Sequence, residues 1–553
     1  MQLIERRIGL LFVVFVLLLG TAVLRATYLG TIQGSTLRRA AATQQVSTAS
    51  VPAARGAITD RNGVELAVSE PADDVAATPF LVKDPARLAG RLAPLLGRPA
   101  AEVLGKLADR RRGFVYLARE IPAAQGVKIA ALRENGLQLI PRNHRSYPRA
   151  WLASQLLGTV GTDGAGLAGL EYAQEAALHG RDGRRRVVGD ALGQPIDMRD
   201  LQTMAPGQTV RLTIDAAIQD QVEQVLQNVG QTYRPKGATA LVMDPRTSEV
   251  LAMANWPRVD AGDVAGAPAY ARQNRAVGFT YEPGSTFKAF TVAGALEDHL
   301  VTPSTPFNLP VNLQVADRQI HDAETRGVET RTVAQILAQS SNVGAVEIGQ
   351  RLGARRFDEW VRRFGFGRPS GVDLPGEERG LVLPLGSYSG SSMGNLPIGQ
   401  GESVTPMQMA AAYAAIADGG VLRPPRVVRS VGGRVAPVAP GRRVISPEVA
   451  ASVRHMLKGV LAAGGTATEA AIPGYDLAGK TGTASKPDPR TGKYSTSKYV
   501  SSFVGFAPAR HPRLLVTVMV DEPQGAIYGG TVAAPAFQKI IGFALPYLGI
   551  APK

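Results

Sequence analysis

Residues 281–290 read YEPGSTFKAF, and two of them have the types and spacing to do chemistry together. Ser285 and Lys288 are three apart, so on a helix they share one face of a turn. The Pro283-Gly284 break followed by Ser285-Thr286 predicts a helix start, and Phe287, Phe290, Gly294 and Leu296 recur at spacings that face a core. A serine placed there stands in the positive field of a helix N-terminus, which favours a developing negative charge. A lysine carried into the same core loses hydration, which disfavours its charged form. A neutral amine beside a hydroxyl can take its proton, and a serine becomes a nucleophile without histidine.

Spacing alone does not decide the matter, because Ser495-Thr496-Ser497-Lys498 fits S-x-x-K equally well. That second match reads as a polar loop before a strand, with no helix to present it. Ser285 is set apart by two companions: Ser340-Ser341-Asn342 in AQSSNVGAVEIG and Lys480-Thr481-Gly482-Thr483 in YDLAGKTGTASK. Singly, Lys480 reads as a surface strand lysine, and Ser340 and Asn342 read as a helix cap. Together, S-x-x-K, S-x-N and K-T-G in this order resemble the signature of penicillin-binding proteins and serine β-lactamases. The middle motif departs from the S-D-N of class A β-lactamases.

The resemblance implies a role for each residue. Ser285 would be acylated, with Lys288 as its base. Ser340 would relay a proton between Lys288 and the leaving amine, and Asn342 would hold the substrate's amide backbone. Lys480, Thr481 and Thr483 would bind the substrate's terminal carboxylate, so an arginine at 480 is expected to be tolerated better than one at 288. The backbone N–H groups of Ser285 and Thr483 would form the oxyanion hole. No cofactor and no metal are implied.

These residues need a helix and an edge strand side by side. The K-T-G segment precedes two strand patterns, YVSSFVGFAP and RLLVTVMVDEP, so it is expected at a sheet edge beside the nucleophile, with Gly482 leaving room for close approach. GATALVMDPRTSEVLAMANW (237–256) reads as a hairpin turning at Asp244–Ser248, and Asp215 reads as the cap of a helix that follows a strand. RGAITDRNGVELA (55–67) reads as a second hairpin around Asn62-Gly63, and helical patterns occupy 84–110 and 123–135. Gly164, Gly166 and Gly169 match G-x-G-x-x-G. They lack a strand directly before them and a βαβ unit around them, so a glycine loop entering a packed helix is the better reading.

Much of the chain shares the likeness. RGAITDRNGVELA, RSYP (145–148), GLEY (169–172), LTID (212–215) and GQGESVTPMQMAAAYAAIADGG (399–420) resemble class B penicillin-binding proteins, and the compact spacing resembles the division-type (FtsI-like) enzymes. The resemblance implies an α+β fold: an antiparallel sheet flanked by helices, behind a membrane helix and a noncatalytic pedestal of the dimerisation type. The expected organisation is a cytoplasmic tail (1–7), an anchor (8–25), a juxtamembrane stalk (26–46), the pedestal (47–204) and a transpeptidase domain (205–550). The implied activity is cross-linking of peptidoglycan stem peptides through a serine acyl-enzyme, with β-lactams as covalent inhibitors. The implied partners are a membrane-embedded glycosyltransferase of the shape, elongation, division and sporulation (SEDS) type and the proteins of the divisome. An elongation enzyme, a β-lactam sensor and an inactive scaffold are the alternatives. The short N-terminal tail argues against the sensor and the complete motif set against the scaffold.

The bulk properties fit. The chain has 553 residues, enough for two or three domains, with 45% hydrophobic and 19% charged residues. It contains no cysteine, which excludes disulfides, thiol catalysis and cysteine-bound zinc. The net charge of +15 is spread as arginine-rich surface without aromatic interleaving or a nucleic-acid motif, and no nucleic acid is expected. Ile8 to Leu24 is free of charge and follows Arg6 and Arg7, which predicts an uncleaved inner- or plasma-membrane span. Its N-terminus is expected in the cytoplasm and its catalytic domain outside. None of the six histidines is placed for a Ser-His-Asp triad. His321-Asp322 are adjacent, so they point in different directions.

Overall fold

The computed structural model describes residues 2–33, 46–189, 195–488 and 490–552. A helix spans Gln2–Thr31, and its apolar side chains are exposed throughout Ile8–Leu24, as lipid-facing residues require. It is long and apolar enough to cross a membrane over Arg6–Thr31. The helix runs past Arg25 into the expected stalk because Ala26, Thr27, Tyr28 and Leu29 contain no breaker; residues 34–45 of that stalk lie outside the described residues.

The rest of the chain forms two compact units. The first comprises 1–54, 70–144 and 180–207. It contains a three-stranded antiparallel sheet (Val46–Val51, Gly183–Gly189, Pro195–Gln202). It also contains two helices, Pro85–Leu96 and Ala100–Ala108, whose Leu88, Leu92, Val103 and Leu107 pack in one core with Val75 and Leu117.

The second unit comprises 55–69, 145–179 and 208–553. Two segments read from sequence as pedestal therefore pack with the catalytic portion. The reason is visible in their bonds. Arg55 and Arg145 both pair with the fully buried Glu171, at 2.5 and 2.7 Å. Ile58–Thr59 lies parallel to Val210–Leu212, and Asp60 Oδ2 accepts from the N–H of Ala216 at 3.0 Å. Gly164 and Gly166 lie in the turn that leads to the short helix Gly169–Ala173, which Gly169 opens and which carries Glu171.

The core of this unit is a five-stranded antiparallel sheet in the spatial order Glu249–Trp256, Gly237–Asp244, Leu514–Asp521, Tyr494–Ala507, Ala478–Pro487. The hairpin expected at 237–256 is its first pair. The helix Ala216–Tyr233, capped by Asp215 on the N–H groups of Ala217 and Ile218, packs on it, as does the C-terminal helix Ala534–Tyr547. Such a cap contributes about 1 kcal/mol. Ala478–Pro487, which carries the K-T-G segment, is the edge strand.

Candidate active site

Ser285 does not sit in the α-helix itself. It lies in a 3-10 turn, Gly284–Phe287, that runs directly into the helix Lys288–Glu297. Gly284 opens the turn with φ +55, a left-handed conformation that a side chain would strain, and an added Cβ would stand 3.1 Å from the Thr483 carbonyl oxygen. The Ser285 turn thus lies directly against the edge strand. Gly482 makes the same contact from the other side: an added Cβ there would be 2.9 Å from the carbonyl oxygen of Pro283.

The helix behind Ser285 is buried on all sides from Lys288 to Leu296, rather than on the single face its spacing suggested. An aromatic cluster surrounds its start. Phe287 packs tilted against Phe366 with ring centroids 5.1 Å apart, and Phe290 packs tilted against Phe364 (4.9 Å) and edge-on to Tyr413 (5.2 Å). Each such pair adds about 0.5–1.5 kcal/mol beyond burial. The Tyr413 hydroxyl donates to the Thr286 carbonyl at 2.6 Å, locking the turn from below. A loop over 399–404 clamps it from the side: Tyr281 and Val404 exchange backbone bonds of 3.0 and 2.9 Å, and the Gly284 N–H donates to the Gly399 carbonyl.

This clamp carries an unusual pair of acids. Glu282 accepts from the Gly401 N–H and the Tyr494 hydroxyl, both at 3.1 Å. Glu402 is 2% exposed and its Oε1 has no hydrogen-bond partner among the described residues. Burial, reinforced by the nearby Glu282 charge, holds its carboxyl well above the usual carboxylate range.

Lys288 is fully buried. Its Nζ donates to the Ser340 carbonyl (2.5 Å), to Asn342 Oδ1 (2.7 Å) and to Ser340 Oγ (3.3 Å). Burial pushes the amine down to about 7 from an ordinary 10.5, against an opposing pull from the Asp322 charge. Lys480 is also fully buried, and its Nζ donates to Ser340 Oγ at 2.8 Å. Burial, with the Lys288 charge second, pushes Lys480 down as well. Two unscreened ammonium groups around one hydroxyl disfavour each other, so the pair favours losing a proton. Ser340 sits between them in a left-handed conformation, φ 60, which costs about 1–3 kcal/mol in a residue of this kind.

The remaining predicted residues lie along the same edge. Thr481 Oγ1 is 2.8 Å from Thr466 Oγ1, and Thr483 Oγ1 accepts from the Gly529 N–H at 3.0 Å. The cap of the helix Asn342–Leu352 is Ser341, whose Oγ accepts from the Gly344 N–H. Ser340 precedes the helix and Asn342 begins it. Asn342 Nδ2 donates to the His321 carbonyl at 2.9 Å, which turns Oδ1 toward Lys288. Sequence reasoning set Asp322 aside with His321. Its carboxylate in fact accepts from the N–H groups of Asn342 and Val343 and from the Ser341 hydroxyl. His321 turns its Nδ1 to the Asp322 backbone carbonyl, so the two side chains form no dyad. The second S-x-x-K match lies within the strand Tyr494–Ala507 rather than in a loop, near its N-terminal end, with Ser495 half-buried and Lys498 exposed.

Residues 238–542 match the penicillin-binding protein transpeptidase domain, and residues 50–212 match the penicillin-binding protein dimerisation domain. The chain is a class B penicillin-binding protein, a peptidoglycan D,D-transpeptidase. This class B penicillin-binding protein is 36% identical to penicillin-binding protein PbpB of Mycolicibacterium smegmatis, over 92% of this chain and 85% of the relative. It is 33% identical to peptidoglycan D,D-transpeptidase FtsI of Escherichia coli K12, with the same coverage. Among solved structures, penicillin-binding protein 3 of Mycobacterium tuberculosis, complexed with aztreonam, superposes with a TM-score of 0.72. It is 32% identical, and the match covers 91% of this chain and 98% of that one. A peptidoglycan synthetase of Bifidobacterium adolescentis gives 0.73 at 29% identity, covering 92% and 98%.

Proposed function

We propose that this class B penicillin-binding protein cross-links stem peptides through an ester on Ser285. Lys288, neutral in its buried pocket, takes the Ser285 proton as Oγ bonds to the penultimate D-Ala carbonyl carbon. The oxyanion is held by the N–H groups of Ser285 and Thr483. The C–N bond to the last D-Ala then breaks, and the proton returns from Lys288 through Ser340 Oγ to the leaving amine. An amine of a neighbouring stem attacks the ester, gives up its proton by the same route and frees Ser285. Asn342 holds the donor's amide. Lys480, Thr481 and Thr483 take its terminal carboxylate, with Gly482 leaving the strand close enough to reach it.

The observation that carries this reading is the chain Lys288 Nζ–Ser340 Oγ–Lys480 Nζ, at 3.3 and 2.8 Å, against the turn of Ser285. β-Lactams are expected to acylate the same serine. Likeness to a division enzyme supports septal synthesis beside a SEDS-type glycosyltransferase and the divisome. Arg6 and Arg7 before the apolar run support a cytoplasmic N-terminus and an external catalytic unit. The test is to map the penicillin adduct by peptide mass and to follow D-Ala release in the presence of an acceptor amine. An adduct on the Ser285 peptide with amine-dependent D-Ala release is expected; an adduct on Ser495, or none, overturns the assignment.

A further inference from the structure

Asn342, Ser340 and Lys288 are held together by a group that touches none of the reacting atoms. Asp322 Oδ1 accepts from the N–H groups of Asn342 (2.5 Å) and Val343 (3.0 Å), the first two residues of the helix Asn342–Leu352. Both its oxygens accept from Ser341 Oγ, at 3.0 and 2.9 Å. Arg326 Nε holds Oδ2 at 2.5 Å, and the Arg326 guanidinium is fixed in turn by the carbonyls of Leu309, Pro310 and Gly327. The Asp322 side chain is only 9% exposed. Its neighbour His321 supplies the carbonyl that orients the Asn342 amide.

We propose that Asp322 is a positioning residue of the acyl-transfer site: its carboxylate grips the 341–343 backbone from behind, so that Ser340 and Asn342 present their oxygens to Lys288, and its charge is the counter-charge to the Lys288 amine. This rests on the reading of Lys288 as the base. Three observations converge on it. Serine, two backbone N–H groups and an arginine saturate one carboxylate, a geometry a surface acid does not have. The Ser340 conformation is strained and needs a rigid neighbour to hold it. The field of Asp322 opposes the burial that lowers Lys288.

Among the described residues, the charged groups that bear on Lys288 are Lys480 from the edge strand and Asp322 with Arg326 from the segment before the Ser340 turn, where Arg326 Nε also meets Glu329 at 3.2 Å. Glu347, further along the Asn342 helix, feels Arg351 and Arg326. A change of charge at 322 or 326 therefore reaches Lys288 with a definite sign. Asp322→Asn removes the counter-charge and lowers the pH at which Lys288 becomes neutral. Arg326→Gln leaves Asp322 unneutralised and raises it.

The experiment uses the full chain in detergent, with two readouts. One is the rate of acylation by penicillin against pH. The other is the 13C resonance of Lys288 Cε against pH, identified by its absence in Lys288→Arg. Asp322→Asn is expected to lower the acylation plateau by about 10- to 100-fold through misplacement. It should also move both midpoints to lower pH, while Arg326→Gln moves them to higher pH. Midpoints that stay put in both variants overturn the proposal, whatever the loss of rate. If Asp322→Asn does not fold, the sign of the Arg326→Gln shift decides alone. If Ser285 is never acylated but the Lys288 resonance shifts with the expected signs, the relation of Asp322 to Lys288 stands and the reading of function falls. Normal acylation with an unmoved resonance does the reverse.

Discussion

Ser340 Oγ lies 2.8 Å from Lys480 Nζ, closer than it lies to the amine of Lys288. The hydroxyl assigned to proton relay is thus anchored by the very lysine assigned to substrate recognition. On the proposed roles, binding a carboxylate at Lys480 and moving a proton at Lys288 would be coupled through one oxygen.

Lys480→Arg is accordingly expected to be damaging. Sequence alone suggested tolerance, because a carboxylate needs only a cation. Lys480 is fully buried, and a guanidinium has no room there without displacing Ser340. Penicillin acylation of this variant should fall by at least about 10-fold. A rate within twofold of the parent would restore the simpler reading.

Lys288→Arg should lose acylation by about 10²–10⁴, the usual worth of a general base, although its charge is kept. In the parent, the base form appears as pH rises through about 7, so acylation should climb about tenfold per pH unit below that point and level off above it. Stopped-flow acylation between pH 5 and 9 reads the midpoint directly; a flat profile excludes Lys288 as the titrating base.

Ser340→Ala should separate relay from recognition. It removes an oxygen that both lysines donate to and leaves the Ser340 carbonyl in place. Acylation should drop more than penicillin affinity does. A pre-steady-state split into binding and chemistry measures this, and a loss confined to affinity would reassign Ser340 to substrate binding.

Glu402→Gln should change stability with a pH-dependent sign. The Glu402 carboxyl is held above its unfolded value, so its neutral form suits the fold. Its favourable contribution is complete below the ordinary value of 4.5 and is lost as pH rises through the raised folded value. The glutamine variant has no such loss. Its melting temperature relative to the parent should therefore increase from pH 4 to pH 8, by about 1 °C for each kcal/mol relieved in a unit of this size. A constant difference across that range would show that Glu402 does not titrate there.

A fragment beginning at Val46 should fold and be acylated, because it retains every segment of the second unit. A fragment beginning at Gln208 carries all three motifs but lacks 55–69 and 145–179, which belong to that unit. It should be insoluble or unlabelled by fluorescent penicillin. Efficient labelling of the Gln208 fragment would show those segments to be dispensable.

The site was legible where its chemistry is local. Ser285 and Lys288 follow one another along a single 3-10 turn and helix start because they are three apart, and Gly482 is informative because a strand with glycine admits a close neighbour. Asp322 was not legible. Two of its partners are backbone N–H groups about twenty positions away, and backbone groups leave no mark in side-chain spacing. Glu402 carries no mark in the sequence, because its burial comes from a loop folding against Glu282, 119 positions from Gly401. The strand that begins at YVSSFVGFAP in the sequence starts earlier, at Tyr494, and takes in Ser495 and Lys498, because its first residues are polar and read as loop. The interleaving of the two units escaped for a similar reason: Arg55 finds Glu171 across 116 residues, and neither looks unusual alone.

That interleaving bears on how such a gene can be reshuffled. A mosaic joined near residue 207 would take Asp60, Arg61 and Asn62 from one parent and their partners Ala216, Glu249 and Asp215 from the other, so the seam would run through matched pairs. Ala153, whose N–H donates to Glu223 at 2.7 Å, would be divided in the same way. Paired exchanges inside 70–144 cross none of these bonds. The first unit's longest stretch can therefore diversify as a cassette, while the flanking 55–69 and 145–179 must be inherited together with the transpeptidase they help to build.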